Sequence, residues 1–437
     1  MSKQIVKSIN KLFSNQPPSD ESTQEVAVTG AQQDSNFEFL NLPDEVTKAI
    51  DDLGFTSCTD IQKEILPHAL DGEDVIGQAQ TGTGKTAAFL IALITYHLEN
   101  PELDPRPVGT PFALIVAPTR ELVMQIAKDA EELTTHCDLN VVSLLGGIDY
   151  EKQKQQCRKQ VDLVVATPGR LLDFCRSNTV NLGQVEQLVI DEADRMLSMG
   201  FIPDIKSIIR RTPPKDKRQT LLFSATFSED ILRLSEEWTR NPIKIEIAPE
   251  QIAVDTVEQF VYLTEADNKY ALLYNLITTQ NLQRIIVFVN RRDQTRELED
   301  RLYRNGIETG LLTGEVPQNK RIRTLNDFKQ GKIRVLVATD VAGRGIHVED
   351  VSHVINYNLP EDSEDYVHRI GRTGRAGAEG ISISLACEID SFQLPDIEAM
   401  LGNKLNCIQP DEELLKPPPA PVRAGRLKRM VPQKRRR

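Results

Sequence analysis

The sequence predicts an α/β fold of two tandem domains, each a parallel sheet with helices on both faces, with disordered N- and C-terminal tails. Three observations carry this expectation. Short apolar runs alternate with longer amphipathic stretches over most of the chain, the pattern of repeated strand–helix–strand units. That rhythm breaks once, near "APEQIAVDT" (248–256), and then resumes. A chain of 437 residues also exceeds what one ordinary hydrophobic core accommodates.

Taken in order, residues 1–36 are polar and rich in Gln, Ser and Asp, which predicts a flexible tail. Within it Ile5, Ile9, Leu12 and Phe13 share one helical face, with Lys3, Lys7 and Lys11 elsewhere. A frayed terminus is the simpler reading, a small docking helix the alternative. The first domain spans 37–248, with strands expected at "DVIGQ" (74), "FALIVA" (112), "VVSLL" (141), "DLVVA" (162), "QLVID" (187), "TLLFS" (220) and "IKIEI" (243). A linker covers 249–256. In the second domain, 257–410, strands are expected at "QFVYL" (259), "RIIVFV" (284), "TGLLT" (309), "IRVLVATD" (333), "HVINY" (353) and "ISISLA" (381). Residues 411–437 end in "KPPPAPVRAGRLKRMVPQKRRR", a basic Pro- and Arg-rich tail. In open parallel sheets ligands bind beyond the carboxyl ends of the strands, so functional residues are expected there in both domains.

Composition narrows the class. Forty per cent hydrophobic and 27% charged residues describe a soluble globular chain. The longest apolar run, "AAFLIALITY" from Ala87, is about half of the roughly 20 residues a membrane helix needs. The start, "MSKQIVKSINKLF", lacks the apolar core of a secretory signal. Six cysteines form no CxxC pair, which points to free thiols in a reducing, cytoplasmic setting. Nothing in the sequence requires an oligomer. The net charge is −12, yet Lys416 to Arg437 holds nine Lys or Arg and no acid, leaving −21 on the 415 residues before it. An acidic globule with a polybasic end suggests that the tail holds a polyanion; a merely solvated tail is the duller option.

The chemistry concentrates after two strands. "DVIGQ" is followed by "AQTGTGKT" (79–86) and an apolar helix. Backbone amides of Ala79, Gln80, Thr81, Gly82, Thr83 and Gly84 can cradle a phosphate chain at the positive end of the helix dipole. Lys85 would reach the outer phosphates of ATP, and the Thr86 hydroxyl would bind Mg2+. The strict loop pattern wants Gly where Ala79 stands, so this is a variant phosphate loop. "QLVIDEADRML" (187–197) ends a buried strand in Asp191, Glu192 and Asp194, three carboxylates that cannot stay ionised together without positive charge opposite them. A strand ending in Asp191 and running beside the phosphate-loop strand would let Asp191 hold the Mg2+. Glu192 would then act as general base on an attacking water, and Asp194 would orient neighbours.

With "AQTGTGKT" in place, "DEAD" (191–194) makes the chain resemble the DEAD-box RNA helicases from about Phe37 to Ile408. The resemblance implies two RecA-like domains that hydrolyse ATP and act on RNA. "GFTSCTDIQ" (54–62) is similar to the family's Q motif, in which Gln62 would read the adenine edge and Phe37 would stack on the base. Cys58 stands where the family usually has Pro. Pro118, Thr119 and Arg120 of "APTREL", Gly147, and Thr167, Pro168, Gly169 and Arg170 of "TPGR" match motifs that hold the RNA backbone. Helix-start amides, hydroxyls and Arg can grip phosphates without reading sequence. "SAT" (224–226) resembles the motif that couples nucleotide to RNA, with the Ser224 and Thr226 hydroxyls expected within reach of Asp194.

In the second domain Arg292, Gln318, Arg321 and Thr339 match RNA-facing positions of the family. "YVHRIGRTGR" (366–375) places His368, Arg372 and Arg375 at the spacing of one helical stripe. Two interior glycines cost such a helix about 1 kcal/mol each, so the stripe reads better as a surface that meets another domain closely. The resemblance makes Arg372 and Arg375 arginine fingers for the γ-phosphate and His368 a coupling residue. "CTDIQ", "DEADRMLSMGF" and "GRGIHV" are similar to a bacterial branch that works in RNA decay beside an endoribonuclease scaffold. The motifs serve two readings equally: an RNA-dependent ATPase that locally opens short duplexes, and an ATP-gated RNA clamp. His347 stands where most of the family has an Asp that contacts the ATP ribose. An imidazole can make one such hydrogen bond, so His347→Asp is expected to tighten ATP binding at pH 8 in a calorimetric titration. Unchanged or weaker affinity would count against that expectation and favour the duller option, a buried structural histidine.

Overall fold

The computed structural model describes residues 36–78, 83–101, 106–246, 257–343, 351–374 and 380–425. They form two seven-stranded, wholly parallel sheets. The first contains β1 (Val75–Gln78), β2 (Ala113–Val116), β3 (Val141–Leu144), β4 (Leu163–Ala166), β5 (Gln187–Ile190), β6 (Gln219–Ser224) and β7 (Ile243–Glu246), in the order β3-β4-β2-β5-β6-β1-β7. The second contains β8 (Val257–Leu263), β9 (Ile285–Phe288), β10 (Thr309–Leu312), β11 (Val335–Ala338), β12 (His353–Asn356), β13 (Gly380–Ala386) and β14 (Asn406–Ile408), in the order β10-β11-β9-β12-β13-β8-β14. Adding seven to each strand of the first sheet gives the second, so one topology is built twice.

The strands read as continuous apolar runs because helices cover both faces. In the first domain Val75, Ile115, Val189 and Phe223 pack into the core on one side. Their neighbours Ile76, Leu114, Leu188 and Leu222 pack into the core on the other, following the period of two along a strand. Thirteen strands lie where the sequence placed them. β14 was not anticipated: it is three residues at a sheet edge, with Asn406 and Cys407 exposed, and carries no apolar run.

The helices that bear on function are α1 (Asp60–Leu70), α2 (Lys85–Glu99), α3 (Arg120–Leu133), α4 (Pro168–Arg176), α5 (Ala193–Ser198), α6 (Lys269–Thr279), α7 (Arg292–Arg304), α8 (Gln318–Lys329) and α9 (Ser363–Ile370). Helices α2, α3, α4, α5 and α7 each start within a few residues of a strand's carboxyl end, which gathers the motifs at one end of each sheet. One expectation needs correction: β5 does not run beside β1. β6 lies between them, paired to both, and its carboxyl end brings the "SAT" segment between phosphate loop and acids. The six cysteines are all free. No described helix is long and apolar enough to cross a membrane. The apolar segment of residues 5–13 lies outside the described residues.

The ends of β1, β6 and β7 opposite the motifs are tied by one carboxylate. Asp74 is buried and accepts from the amides of Thr220 at 2.9 Å and Arg240 at 2.6 Å, while its carbonyl accepts from Ile243 at 2.8 Å. Asp74→Ala leaves two amides without their acceptor, each costing about 1–3 kcal/mol where buried. We expect a loss of about 2–3 kcal/mol in the first domain's stability, measured as a lower urea midpoint at unchanged slope.

Candidate nucleotide and RNA site

The chain enters α2 through Gly84, whose φ of +96° favours glycine. A Cβ there would also stand 2.7 Å from Thr59 Oγ1 and 2.8 Å from Gln62 Nε2, so glycine is what lets α1 abut the phosphate loop. Thr59 and Gln62 form a capping box at the start of α1. Gln62 Oε1 accepts from the Thr59 amide at 2.8 Å, and its Nε2 donates to the Gly84 carbonyl at 3.2 Å. Gln62 thus joins α1 to the loop as well as facing it, a role the motif alone did not reveal. Phe37 is buried against the first domain's core rather than standing open, whereas the nearby Phe39 is exposed. Ala79, Gln80, Thr81, Gly82, His347 and Arg375 lie outside the described residues.

At the end of β5 the three acids are buried together. Lys85 Nζ, from the first turn of α2, lies 3.9 Å from Asp191 Oδ1. Burial pushes the Asp191 carboxyl up to about 6; Lys85 opposes this, while Glu192 and Asp194 add to it. Asp194 is raised too, by burial first and then by Glu192. Glu192 occupies the left-handed region, φ +54° and ψ +52°, uncommon for a side chain of its size. That turn lets its amide donate to Asp191 Oδ1 at 2.9 Å and its carboxylate accept from Arg195 Nη1 at 2.8 Å. Arg195 was not singled out from sequence; it follows "DEAD" directly, and only its burial marks it. Three buried carboxylates against Lys85 and Arg195 leave a local need for positive charge, which suits a divalent cation. No described group of three His, Cys, Asp or Glu could hold a metal alone. Mg2+ is bound through one or two protein oxygens together with substrate phosphates and water, and Asp191 and the Thr86 hydroxyl are the oxygens that would hold it here. Thr86 stands one residue after Lys85, partly exposed.

Asp194 also faces the second domain. Its Oδ2 accepts from the Ala225 amide at 3.2 Å and lies 3.7 Å from His368 Nε2 of α9. The expected bonds from Ser224 and Thr226 are not made: both hydroxyls are buried with no hydrogen-bond partner. Ala225 supplies the donor because its amide lies just past the end of β6, where the ladder no longer claims it. The three-residue stripe is also corrected. Helix α9 ends at Ile370, Gly371 follows, and Arg372 lies beyond the helix, 2% exposed, with Nε donating to the His368 carbonyl at 3.0 Å. The neighbouring Arg369, which sequence reasoning passed over, is the organiser of this corner. It is 1% exposed and grips Asp340 with two bonds of 2.6 and 2.7 Å. It also donates to Asn290 Oδ1 and to the Asn358 carbonyl, each at 2.7 Å.

The RNA-matching residues divide. In the first domain α3 and α4 follow adjacent strands, so both helix starts open at the same end of the sheet. Thr119 caps α3, accepting from the Leu122 amide, and buried Pro118 precedes it. The Arg120 guanidinium lies over the Gly146–Gly147 turn, where any Cβ on Gly147 would collide with it. Thr167 precedes Pro168 at the start of α4, and no atom lies within 4 Å of where Gly169 would carry a Cβ. Arg170 stands 5.3 Å from the Tyr150 ring centre, with its buried Nη1 unpartnered. In the second domain Arg292 is 60% exposed at the start of α7, and Thr339 is buried just after β11.

Gln318 and Arg321, expected to face RNA, instead reach across to the first domain. Gln318 Nε2 donates to Glu121 Oε1 at 3.0 Å, and Arg321 Nε donates to the same oxygen at 2.8 Å. All three residues are buried. An acid in the first turn of a helix reads as a dipole partner, so nothing in the sequence marked Glu121 as a latch. Removing one member of a buried ion pair typically costs about 3–5 kcal/mol. Glu121→Ala is therefore expected to weaken domain closure and lower RNA-stimulated ATP hydrolysis at least tenfold. Removing Arg321 as well should cost less than the sum of the two single changes in a double-mutant cycle.

Comparison with known proteins places this geometry. The DEAD/DEAH box helicase family matches residues 59–234, and the helicase conserved C-terminal domain matches residues 268–377. The ATP-dependent RNA helicase RhlB of Pseudomonas putida is 57% identical over 386 residues, covering 88% of this chain and 97% of that protein. Among solved structures, S. cerevisiae Dbp5 bound to RNA and ADP BeF3 superposes with a TM-score of 0.76 at 30% identity, over 87% of this chain and all of that one. Mss116p bound to ssRNA and AMP-PNP gives 0.77 at 28% identity, over 89% and 82%. With these matches over nearly all of the folded chain, the protein belongs to the RhlB branch of the DEAD-box ATP-dependent RNA helicases, which are RNA-dependent ATPases.

Proposed function

We propose that this chain locally separates short RNA duplexes by closing its two domains on ATP and RNA, and that it serves in bacterial mRNA decay in the cytoplasm beside an endoribonuclease scaffold. The observation that carries the unwinding reading is the pair of cross-domain links, Asp194 to His368 and Glu121 to Gln318 and Arg321. Each joins a residue beside a nucleotide motif or an RNA motif to the other domain. Closure therefore assembles both sites together, and ligand binding at one favours the other.

In this reading the amides of 79–84 and Lys85 hold the ATP phosphates, Gln62 and Phe37 position the base, and Asp191 and Thr86 provide the Mg2+ ligands. Mg2+ supplies neutralisation of charge on the phosphate oxygens. Glu192 takes a proton from water as its oxygen attacks the γ-phosphorus and the bond to the bridging oxygen breaks. Arg372 and Arg375 offset the charge of the transferring group, a contribution of about 10³–10⁵ in rate for such arginines. Pro118, Thr119, Arg120, Gly147, Thr167–Arg170, Arg292 and Thr339 hold the RNA backbone, so little sequence preference is expected. Gln318 and Arg321 contribute by fixing closure.

Two measurements test this. ATP hydrolysis should be stimulated by single-stranded RNA and not by matched DNA, since contacts at the 2′-hydroxyl separate the two. Glu192→Gln should retain ATP and RNA binding while turnover falls about 10²–10⁴-fold. Hydrolysis that persists in that variant would assign the base elsewhere.

A further inference from the structure

β3 and β4 are neighbours in the first sheet, and each is followed by a helix. After β3 the Gly146–Gly147 turn leads to Asp149, whose carboxylate caps a short helix, Tyr150–Gln156, by accepting from the Lys152 amide at 3.1 Å. After β4 the chain passes through Thr167 into α4. Tyr150, the first residue of the short helix, meets Phe174 of α4. Their ring centres are 4.8 Å apart and the planes are tilted by 59°, within the range that aromatic pairs favour. Phe174 is fully buried and Tyr150 half-buried. The two rings form a notch, and the Arg170 guanidinium lies in it, 5.3 Å from the Tyr150 ring centre and 5.9 Å from that of Phe174. Phe174 stands one helical turn after Arg170 and meets it by local geometry. Tyr150 comes from the neighbouring strand's helix and completes the notch from outside.

Arg170 differs from Arg195, Arg321 and Arg369 in what answers its charge. Those three pair with Glu192, Glu121 and Asp340, at 2.8, 2.8 and 2.6 Å. No described carboxylate pairs with Arg170, and its Nη1 is buried with no acceptor. Ring faces attract a guanidinium without neutralising it. The side chain is thus held in place with its charge intact and one donor unsatisfied. A phosphate oxygen is an acceptor of the opposite charge, and the guanidinium fork matches phosphate geometry. Beside it Gly169 leaves room, since nothing lies within 4 Å of where its Cβ would stand.

We propose that Tyr150 is a positioning residue for RNA: with Phe174 it holds the Arg170 guanidinium at the start of α4, where that side chain receives a backbone phosphate. This rests on the reading of Arg170 as an RNA contact. Tyr150 acts through Arg170, by removing the freedom that a long side chain would otherwise lose on binding. The ring is what serves, because the hydroxyl reaches only Ser177 Oγ, at a long 3.4 Å. A positioning role of this kind sets how tightly RNA is held and leaves the rate of the RNA-saturated enzyme alone.

The test measures single-stranded RNA affinity of the full chain against salt concentration, and ATP turnover against RNA concentration. The variants are Arg170→Ala, Tyr150→Phe, Tyr150→Leu and Arg170→Ala/Tyr150→Leu. Arg170→Ala is expected to weaken binding and to lower the magnitude of the salt slope by about 0.7, the value for one phosphate contact on a single strand. Tyr150→Phe is expected to bind as the unaltered chain does. Tyr150→Leu should bind about three- to tenfold more weakly. It should raise the RNA concentration for half-maximal turnover by the same factor, with kcat and the KM for ATP unchanged. In the Arg170→Ala background the same change is expected to cost nothing further. Tyr150→Met, which fills more of the ring's volume, takes the place of Tyr150→Leu if that variant melts early. Unchanged affinity on loss of the ring, or an equal loss with and without Arg170, overturns the proposal. If Arg170→Ala itself leaves affinity and slope unchanged, the reading of Arg170 as an RNA contact fails, and the inference falls with it.

Discussion

The arrangement depends on a surplus of negative charge at one strand end. β5 delivers Asp191, Glu192 and Asp194 into a buried corner, where Lys85 and Arg195 answer only part of the charge. Burial first, and the neighbouring acids after it, raise the Asp191 and Asp194 carboxyls. The second domain brings His368 Nε2 to 3.7 Å from Asp194 at this corner. A corner that is electrostatically incomplete alone gives the second domain a reason to close. Because the same closure seats Gln318 and Arg321 on Glu121, the acidic corner and helix α3 answer one movement.

The duplicated topology shows how that division of labour is built. Both sheets use the same strand order, so equivalent strand ends lie at the same edge of each domain. In the first domain those ends carry a phosphate loop and acids; in the second they carry Asn290, Asp340 and Asn358. Arg369 draws that second set together with hydrogen bonds to all three residues, while the buried Arg372 folds back onto the His368 carbonyl.

Much of this was legible in the sequence because parallel strands buried on both faces announce themselves as apolar runs, and phosphate and acid motifs follow them directly. β14 was missed because a three-residue exposed edge strand has no such run. The contact of Gln318 and Arg321 with Glu121 went unseen for a different reason. Polar residues in a motif can serve ligand or neighbour equally well, and which they serve depends on burial that no local pattern encodes. Ser224 and Thr226 show the same limit, since the atom that reaches Asp194 is the amide of the residue between them. The helical stripe through His368, Arg372 and Arg375 failed where its own glycines warned it would, at Gly371.

Residues 411–425 lie along α6 and α7, and two asparagines there, Asn275 and Asn305, hold the segment by donating to its main-chain carbonyls. Between Lys416 and Pro421 such recognition does not read side chains, whereas Leu414, Leu415 and Arg423 on either side are held by theirs. The stretch between those anchors is therefore free to drift in sequence so long as its length, its prolines and the two asparagines persist. Inheritance here is expected to leave its mark on the groove more than on the peptide lying in it, and an alignment of related chains would see divergence where the geometry is retained.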